Sequence, residues 1–358
     1  MTASRHSFHP LRVSDVTALT DDAVAISFEV PPDLADAYDF IQGQHVTVRT
    51  SLAGDDVRRS YSICAPAKSG RLRIGVKVLP GGHFSGFAAG DLAVGDVLDV
   101  MTPTGRFFTP LDPSNRRHYC AIAAGSGITP ILSIVETTLQ QEPHSRVTLI
   151  YANRTSRSVM FLEELEDLKD RYRGRLHLIH VLSREAQDAE LLSGRLDAAR
   201  LTKITETLVP TETVDDWFLC GPYDMVIDLR QALLEQGVGT ERVHSELFHV
   251  ETAPPQRRTT EADDGEGSNV TIHLDGRQSA FKLKGNDVSV LEAALKVRSD
   301  APFACRGGVC GTCRAKLREG EVVMDTNYAL EPDEIAKGYV LTCQSHPTTA
   351  KVVLDFDS

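Results

Sequence analysis

Residues 305–313 read Cys-Arg-Gly-Gly-Val-Cys-Gly-Thr-Cys, and a fourth cysteine follows after 29 further residues. The spacing C-x4-C-x2-C with a distant fourth cysteine is typical of plant-type [2Fe-2S] sites, where four thiolates hold two irons. Glycines in the loop let backbone N–H groups turn towards the cluster because glycine has no Cβ atom. The pattern predicts an iron–sulfur cluster whose ligands are Cys305, Cys310, Cys313 and Cys343.

Two alternatives for these cysteines are a structural zinc site and buried apolar thiols. Zinc sites usually use paired C-x2-C hairpins, whereas here one pair is separated by four residues and the last cysteine stands alone. The flanking sequence also fits a cluster domain, with predicted strands at 270–274 and 281–284, a turn at 275–276 and a helix at 290–296. This order predicts an α+β fold of the β-grasp type.

The 358 residues exceed what one hydrophobic core usually organises, so a multidomain chain is expected. Short alternating strands before residue 112 predict an antiparallel β-barrel, and apolar strands alternating with amphipathic helices after it predict a parallel-sheet α/β domain. Paired prolines, paired arginines and an acidic run then predict a flexible linker. The expected domains are the β-barrel at 1–112, the α/β domain at 113–250, the linker at 251–268 and the β-grasp domain at 269–358.

The composition is that of an ordinary globular protein, with a formal net charge of -12. This charge argues against a nucleic-acid partner, because phosphate contacts need clustered Lys and Arg. No run approaches the ~20 apolar residues of a membrane span, and the N-terminus lacks the apolar segment of a signal peptide. We therefore expect a cytoplasmic location, with neither nucleic acid nor membrane as a partner.

Two motifs in the first domain carry the residue types that a flavin dinucleotide needs. Arg59-Ser-Tyr61-Ser62 closes a predicted strand, and Gly81-Gly82-His-Phe-Ser85 precedes a short predicted helix. They supply a cation for the pyrophosphate, an aromatic face for the isoalloxazine and a helix N-terminus for phosphate. The first motif alone would also fit an exposed strand end with a buried tyrosine.

Two motifs in the second domain suggest a nicotinamide nucleotide. Gly125-Ser-Gly127-Ile-Thr129-Pro130 follows an apolar strand and opens a helix, which lets the backbone approach a pyrophosphate, although a plain strand-to-helix turn is the alternative. Cys220-Gly-Pro ends the last predicted parallel strand, where open α/β sheets bind ligands, although a lone thiol there also fits a core cysteine.

The cofactor preference depends on the segment after the strand at 147–151. Arg154 and Arg157 follow that strand with no acid nearby in the sequence. Sites for a 2′-phosphate place arginine here, whereas NAD sites place an acid. The sequence therefore favours NADPH, with NADH as the alternative if the arginines are only solvated.

In this order the motifs resemble the ferredoxin–NADP reductase superfamily fused to a C-terminal plant-type ferredoxin domain. The resemblance implies that FAD meets Arg59 at its pyrophosphate, Tyr61 at the flavin ring and Ser62 near flavin N5. It also implies that Gly81, Gly82 and Ser85 surround the FAD phosphates. It implies that the nicotinamide nucleotide meets Gly125, Gly127, Thr129 and Pro130. It also places Cys220 beside the nicotinamide ring and Glu246 and Phe248 near the flavin, so that Ser62, Cys220 and Glu246 would be catalytic.

Within the superfamily, the segments 8–11, 59–63, 150–154 and 161–168 resemble the reductase components of phenylacetyl-coenzyme A epoxidases. Ketosteroid hydroxylase reductases share the architecture and several of these motifs. The resemblance implies an NAD(P)H-dependent reductase that passes electrons through FAD and a [2Fe-2S] cluster to an oxygenase, namely a multisubunit di-iron epoxidase. The alternatives are a reductase for a ketosteroid or aromatic-ring hydroxylase, a non-catalytic redox sensor or electron-carrier module, and a free flavin reductase, which would have no use for the cluster domain.

Basic residues surround the predicted iron ligands, which suggests a docking face for an acidic oxygenase surface. They are Arg306, Arg314, Lys316 and Arg318. Ordinary solvated charges are an equally good interpretation of this cluster.

Overall fold

The computed structural model describes residues 7–249, 267–284 and 288–358. The chain divides into two compact units, of which one spans Phe8–His249 and the other contains the described residues from 267 onward. Of the predicted linker at 251–268, only residues 267 and 268 are described, and Ser268 already belongs to a strand. Among the described residues, no helix is long and apolar enough to cross a membrane.

The first sheet of the Phe8–His249 unit is antiparallel and curls into a barrel. Its strands follow the order β4-β3-β6-β1-β2-β5, and the edges β4 and β5 approach each other where Ile63 bridges to Ile74. Alternating apolar side chains such as Leu11 and Val13 fill its interior, each burial contributing roughly 1.5–3 kcal/mol. The elements are β1 (Phe8–Thr20), β2 (Ala23–Glu29), β3 (His45–Leu52), β4 (Asp55–Ser62), β5 (Leu72–Lys77), α1 (His83–Gly90) and β6 (Val97–Met101).

The second sheet of this unit is parallel, as the alternation of strands and helices predicts. Its strands follow the order β11-β10-β7-β8-β9. The elements are β7 (His118–Ala124), α2 (Ile128–Gln141), β8 (Arg146–Asn153), α3 (Leu162–Arg171), β9 (Leu176–Leu182), α4 (Ala198–Thr207), β10 (Asp216–Pro222), α5 (Tyr223–Glu235) and β11 (Val243–His249).

One expectation about this sheet is wrong, because the strand that ends at Cys220-Gly-Pro is not the last. β11 pairs with β10 in parallel along the sheet edge. Its sequence, Val-His-Ser-Glu-Leu-Phe-His, lacks the continuous apolar run of a strand buried on both faces, which is why the periodicity did not reveal it.

The barrel and the parallel sheet pack closely against each other within the Phe8–His249 unit. Ala23 and Ala25 from β2 belong to the same buried cluster as Ile131 of α2 and Met160 before α3. Gly75 in β5 makes this approach possible, because a Cβ atom there would lie 2.6 Å from the Thr129 methyl carbon. The close packing allows side chains from both sheets to reach one site.

The C-terminal unit has the predicted β-grasp pattern. Its main sheet follows the order β13-β12-β18-β14-β16, with α6 packed against it. The tight turn predicted at 275–276 is present, with positive φ angles at Asp275 and Gly276. The elements are β12 (Ser268–Leu274), β13 (Arg277–Leu283), α6 (Val290–Leu295), β14 (Arg314–Glu319), β15 (Val322–Met324), α7 (Pro332–Ala336), β16 (Tyr339–Leu341), β17 (Ser345–Pro347) and β18 (Lys351–Asp355).

Candidate functional site

Three strands of the Phe8–His249 unit bring together a serine, a cysteine and a glutamate. Ser62 ends β4, and its Oγ donates a hydrogen bond of 3.0 Å to Glu246 Oε2 on β11. Cys220 on β10 lies directly beside Glu246 in the register of the parallel pair. Ser62 and Cys220 are buried, and Glu246 is half-buried. The three residues expected to be catalytic therefore occupy one site.

Burial controls the protonation of this site. Loss of water contact raises the pKa of Glu246 to about 7, while the hydrogen bond from Ser62 acts in the opposite direction. Burial also raises the pKa of the Cys220 thiol, and the nearby Glu246 adds to that rise. A thiol with a raised pKa stays protonated and is a poor nucleophile. Glu246, in contrast, can hold or release a proton near neutral pH.

The two arginines at the end of β4 have different environments. Arg58 is buried, and its Nη2 donates to Asp56 Oδ2 over 2.9 Å. Arg59 is exposed, and its Nη1 donates to the carbonyl of Arg58. Tyr61 is half-buried beside Phe84, with 5.4 Å between the ring centroids. Arg59 is therefore the arginine whose charge faces solvent, as a contact with a pyrophosphate requires.

The motif Gly-Gly-x-x-Ser differs from its prediction, because the helix begins at His83 and so includes Ser85. The Ser85 hydroxyl is buried, accepts from the Leu79 N–H and donates to the Gly82 carbonyl, each over 3.2 Å. A Cβ atom at Gly81 would meet nothing within 4 Å, so space is open at that position. Since the hydroxyl serves the turn itself, the backbone N–H groups of the first helical turn are the ones suited to a phosphate.

The glycine turn at 125–127 is a 3-10 turn that leads directly into α2. Gly125 has a φ of 52°, which suits glycine, and its carbonyl accepts a 2.9 Å hydrogen bond from the Tyr151 hydroxyl. Gly127 packs against β10, where a Cβ atom would lie 2.2 Å from the Cys220 carbonyl oxygen. The turn therefore links the predicted nucleotide loop to the Cys220 backbone. Tyr151 is a positioning residue that the sequence reasoning missed.

Thr129 and Pro130 are less exposed than their predicted role suggests. Both are buried in the first turn of α2, where proline is tolerated because the helix requires no N–H donor. The Thr129 hydroxyl donates to the Ser126 carbonyl over 3.0 Å. Phe248 is half-buried against the core of the parallel sheet. These three side chains therefore pack against the loop and the sheet from within the protein.

Although no acid follows the arginine segment closely in the sequence, the fold brings one to it. Arg154 and Arg157 are exposed as expected. However, Glu185 Oε2 accepts hydrogen bonds from the N–H and the hydroxyl of Ser156, over 2.8 and 3.0 Å. Backbone bonds such as that from the Arg184 N–H to the Arg154 carbonyl align the two segments. Because Glu185 is 29 positions from Ser156, sequence proximity could not reveal it.

The four predicted cluster cysteines form two pairs in the C-terminal unit. The neighbouring Cys310 thiol lowers the pKa of Cys305, and the neighbouring Cys313 thiol lowers the pKa of Cys343. Across the described chain, no group of three or more His, Cys, Asp and Glu side chains is arranged to hold a single metal ion. Two thiol pairs instead fit two irons, each with two cysteine ligands.

Backbone and side-chain donors surround these sulfurs. The N–H groups of Gly307 and Cys310 each point at Cys305 Sγ over 3.4 Å. Gln344 follows Cys343, and its Nε2 lies 3.5 Å from Cys343 Sγ. Such donors favour the thiolate form that ligates iron. The sequence reasoning missed Gln344, although its place next to a predicted ligand could have drawn attention to it.

The basic residues around the cluster loop are largely paired with carboxylates. Arg314 bonds to the buried Glu334, Arg318 lies 2.8 Å from Asp355, and Arg306 lies 4.0 Å from Glu292. Lys316 lies over the Tyr339 ring, with 5.6 Å from Nζ to the centroid. Local neutralisation favours the interpretation of ordinary surface charges over that of a basic docking face.

Family models match the three parts of the chain in the observed order. The oxidoreductase FAD-binding domain matches residues 10–108, and the oxidoreductase NAD-binding domain matches residues 121–231. The 2Fe-2S iron-sulfur cluster binding domain matches residues 272–348, which include all four paired cysteines. The chain therefore contains domains for FAD, for a nicotinamide nucleotide and for a [2Fe-2S] cluster.

Full-length relatives share this arrangement. The chain is 45% identical to one of the subunits of 1,2-phenylacetyl-CoA epoxidase of Escherichia coli, over 98% of both chains. It is 32% identical to the ferredoxin reductase component of 3-ketosteroid-9-alpha-monooxygenase of Rhodococcus rhodochrous, over 97% of this chain and 96% of the relative. The structure of phthalate dioxygenase reductase has the same fold, with a TM-score of 0.60 at 24% identity and 98% coverage of each chain.

Proposed function

Because this chain belongs to the family of iron–sulfur flavoprotein reductases that serve as reductase components of oxygenases, we propose that its oxygenase is a phenylacetyl-CoA epoxidase of the multisubunit di-iron type. The observation that carries this proposal is the 45% identity to a component of such an epoxidase along nearly the whole chain. The lower identity to the ketosteroid monooxygenase reductase makes that system the second candidate.

We assign the cofactor contacts to the residues described above. FAD would lie against Arg59, Tyr61 and the turn at Gly81-Gly82, and the nicotinamide nucleotide would meet the turn at 125–127. The two thiol pairs would ligate the cluster. When bound, FAD accepts a hydride and releases its electrons one at a time, and the cluster carries single electrons.

The polypeptide contributes positioning and proton control to this transfer. Cys220 keeps a neutral, fully buried thiol beside Glu246, and Gly127 fixes the adjoining backbone of β10. Glu246 Oε2 can hold a proton near pH 7, and the hydrogen bond with Ser62 Oγ provides a path for that proton. Cys220 shares one buried cluster with Ala23 and Ala25 of the barrel, so the thiol side of this site is screened from water.

We further propose NADPH as the electron donor and the cytoplasm as the location. Arg154 and Arg157 are exposed where a 2′-phosphate would lie, whereas Glu185 at Ser156 provides the acid that an NADH site would use. Arg154→Gln should lower kcat/KM for NADPH about tenfold and leave NADH nearly unchanged. An equal loss with both nucleotides would contradict the NADPH assignment.

The proposed function is tested by following electrons from nucleotide to product. The purified protein should reduce ferricyanide and cytochrome c with NADPH and should support epoxidation of phenylacetyl-CoA when mixed with the other epoxidase components. Cys310→Ser should retain ferricyanide reduction and lose cytochrome c reduction and epoxidation, because electrons would stop at FAD.

Two controls separate the competing functions. The oxygenase of a ketosteroid 9-alpha-monooxygenase, supplied in place of the epoxidase components, should accept electrons poorly. Better turnover with that oxygenase would assign the chain to the second candidate. A chain that reduces neither artificial acceptor would be a redox sensor or carrier module rather than a turning-over reductase.

A further inference from the structure

The side chain of Gln344 occupies a position between the cluster loop and the isolated fourth cysteine. It is buried, with 8% of its surface exposed. Its Nε2 donates to the Arg306 carbonyl over 2.8 Å, lies 3.2 Å from the Cys343 carbonyl and points at Cys343 Sγ over 3.5 Å. One amide therefore connects the loop that carries three cysteines to the ligand that lies outside it.

The orientation of this amide is determined by its other end. Thr326 Oγ1 donates a 2.7 Å hydrogen bond to Gln344 Oε1. Since two carbonyl oxygens lie beside Nε2, the reverse orientation would place oxygen against oxygen. Gly308 lets Thr326 and Gln344 pack under the loop, because a Cβ atom there would lie 3.1 Å from Thr326 Oγ1 and 3.2 Å from Gln344 Cγ. We refer to Thr326 and Gln344 together as the amide clamp.

We propose that the amide clamp sets the reduction potential of the [2Fe-2S] cluster, with Gln344 as the donor to Cys343 sulfur and Thr326 as the residue that orients it. The inference rests on the cluster ligation proposed above. Reduction adds one negative charge to the cluster, so a hydrogen bond donated to a ligand sulfur becomes stronger in the reduced state. The clamp therefore favours the reduced cluster and raises its potential.

The test is a potentiometric titration of the full-length holoprotein, with the reduced cluster followed by electron paramagnetic resonance. Gln344→Met keeps the length of the side chain and removes the donor. We expect the reduction equilibrium to shift about three- to tenfold towards the oxidised cluster, which is ~30–60 mV for a one-electron couple. Thr326→Val should shift the reduction equilibrium in the same direction by a smaller factor. Thr326→Ser, which keeps the hydroxyl, should have the same potential as the unaltered protein.

The matched control is Gln278→Met, an exposed glutamine on β13 in the same unit, which should leave the potential unchanged. If Gln344→Met and Thr326→Val lower the amount of cluster but the loaded fraction keeps its potential, the clamp is only structural and the inference is wrong. If Gln344→Met does not fold, Thr326→Val decides between these outcomes. An unaltered protein that holds no iron would overturn the proposed ligation itself, and this inference with it.

Discussion

In the Phe8–His249 unit, the interacting side chains Ser62 and Glu246 lie 184 positions apart, whereas three of the four cysteines of the C-terminal unit lie within residues 305–313. The first site exists only because a barrel strand packs against two strands of the parallel sheet. The second is built on one loop and completed by Cys343. A site assembled from distant strands should be sensitive to backbone packing, and a loop site should be sensitive to its ligands and donors.

The largest effect is expected from Gly127→Ala, which tests the dependence on packing. The added Cβ atom would lie 2.2 Å from the Cys220 carbonyl oxygen, so the turn or β10 must move. A displacement near the reacting atoms costs roughly 100-fold in rate. We expect NADPH-driven ferricyanide reduction to fall about 100-fold, while the paramagnetic resonance spectrum of the chemically reduced cluster stays the same.

The control for this change is Gly90→Ala, at the exposed last residue of α1, where a Cβ atom would meet nothing within 4 Å. It should keep full activity, since alanine is favoured over glycine in helices. If Gly127→Ala also altered the cluster spectrum, a substitution in the Phe8–His249 unit would affect the cysteine site, and the expectation that the two sites respond separately would be wrong.

A second prediction concerns the half-buried carboxyl group of Glu246 in the strand-built site. The pKa of Glu246 is about 7 in the folded protein, above its ordinary value of 4.5, so folding is favoured while the group is protonated. That stabilisation is complete below pH 4.5 and is lost as the pH rises through 7. Glu246→Gln, which cannot ionise, should remove this dependence, a difference of at most about 3 kcal/mol between about pH 4.5 and 8.

The measurement is urea unfolding of the holoprotein across this pH range, followed by the fluorescence of released FAD. Glu241→Gln, at an exposed carboxylate just before β11, should leave the pH dependence of the unaltered protein intact. Parallel pH profiles for the unaltered protein and Glu246→Gln would show that Glu246 ionises as it does in water.

The same contrast explains what the sequence could and could not predict. The 2Fe-2S domain was predictable because its loop carries the cysteine spacing and the glycines within nine consecutive residues. The central strands β7, β8 and β10 were predictable because burial on both faces requires continuous apolar runs. The edge strand β11 carries no such run, and the contact of Glu185 with Ser156 joins loops 29 positions apart. Tertiary packing alone creates these features.

The catalytic roles proposed for Ser62, Cys220 and Glu246 rest only on family resemblance. The residue types of Ser62, Cys220 and Glu246 are common, and their separation in the sequence carries no periodic signal. The structure adds the hydrogen bond between Ser62 and Glu246 and the burial of Ser62 and Cys220. Ser85 illustrates the reverse case, because its motif is recognisable but its hydroxyl is used within the turn.

The smallest effect is expected at the surface of the C-terminal unit, where Arg318 pairs with Asp355 over 2.8 Å. Exposed ion pairs contribute roughly 0–1 kcal/mol, and a paired arginine adds little net field for steering a partner. Arg318→Gln should therefore change the rate of electron delivery to the oxygenase by less than about twofold, with an unchanged dependence on salt concentration. The matched control is Arg277→Gln, at another exposed position of the same unit. A clear loss with Arg318→Gln that weakens at high salt, absent from the control, would restore the basic docking face and show that partner recognition at this unit depends on charge despite local pairing.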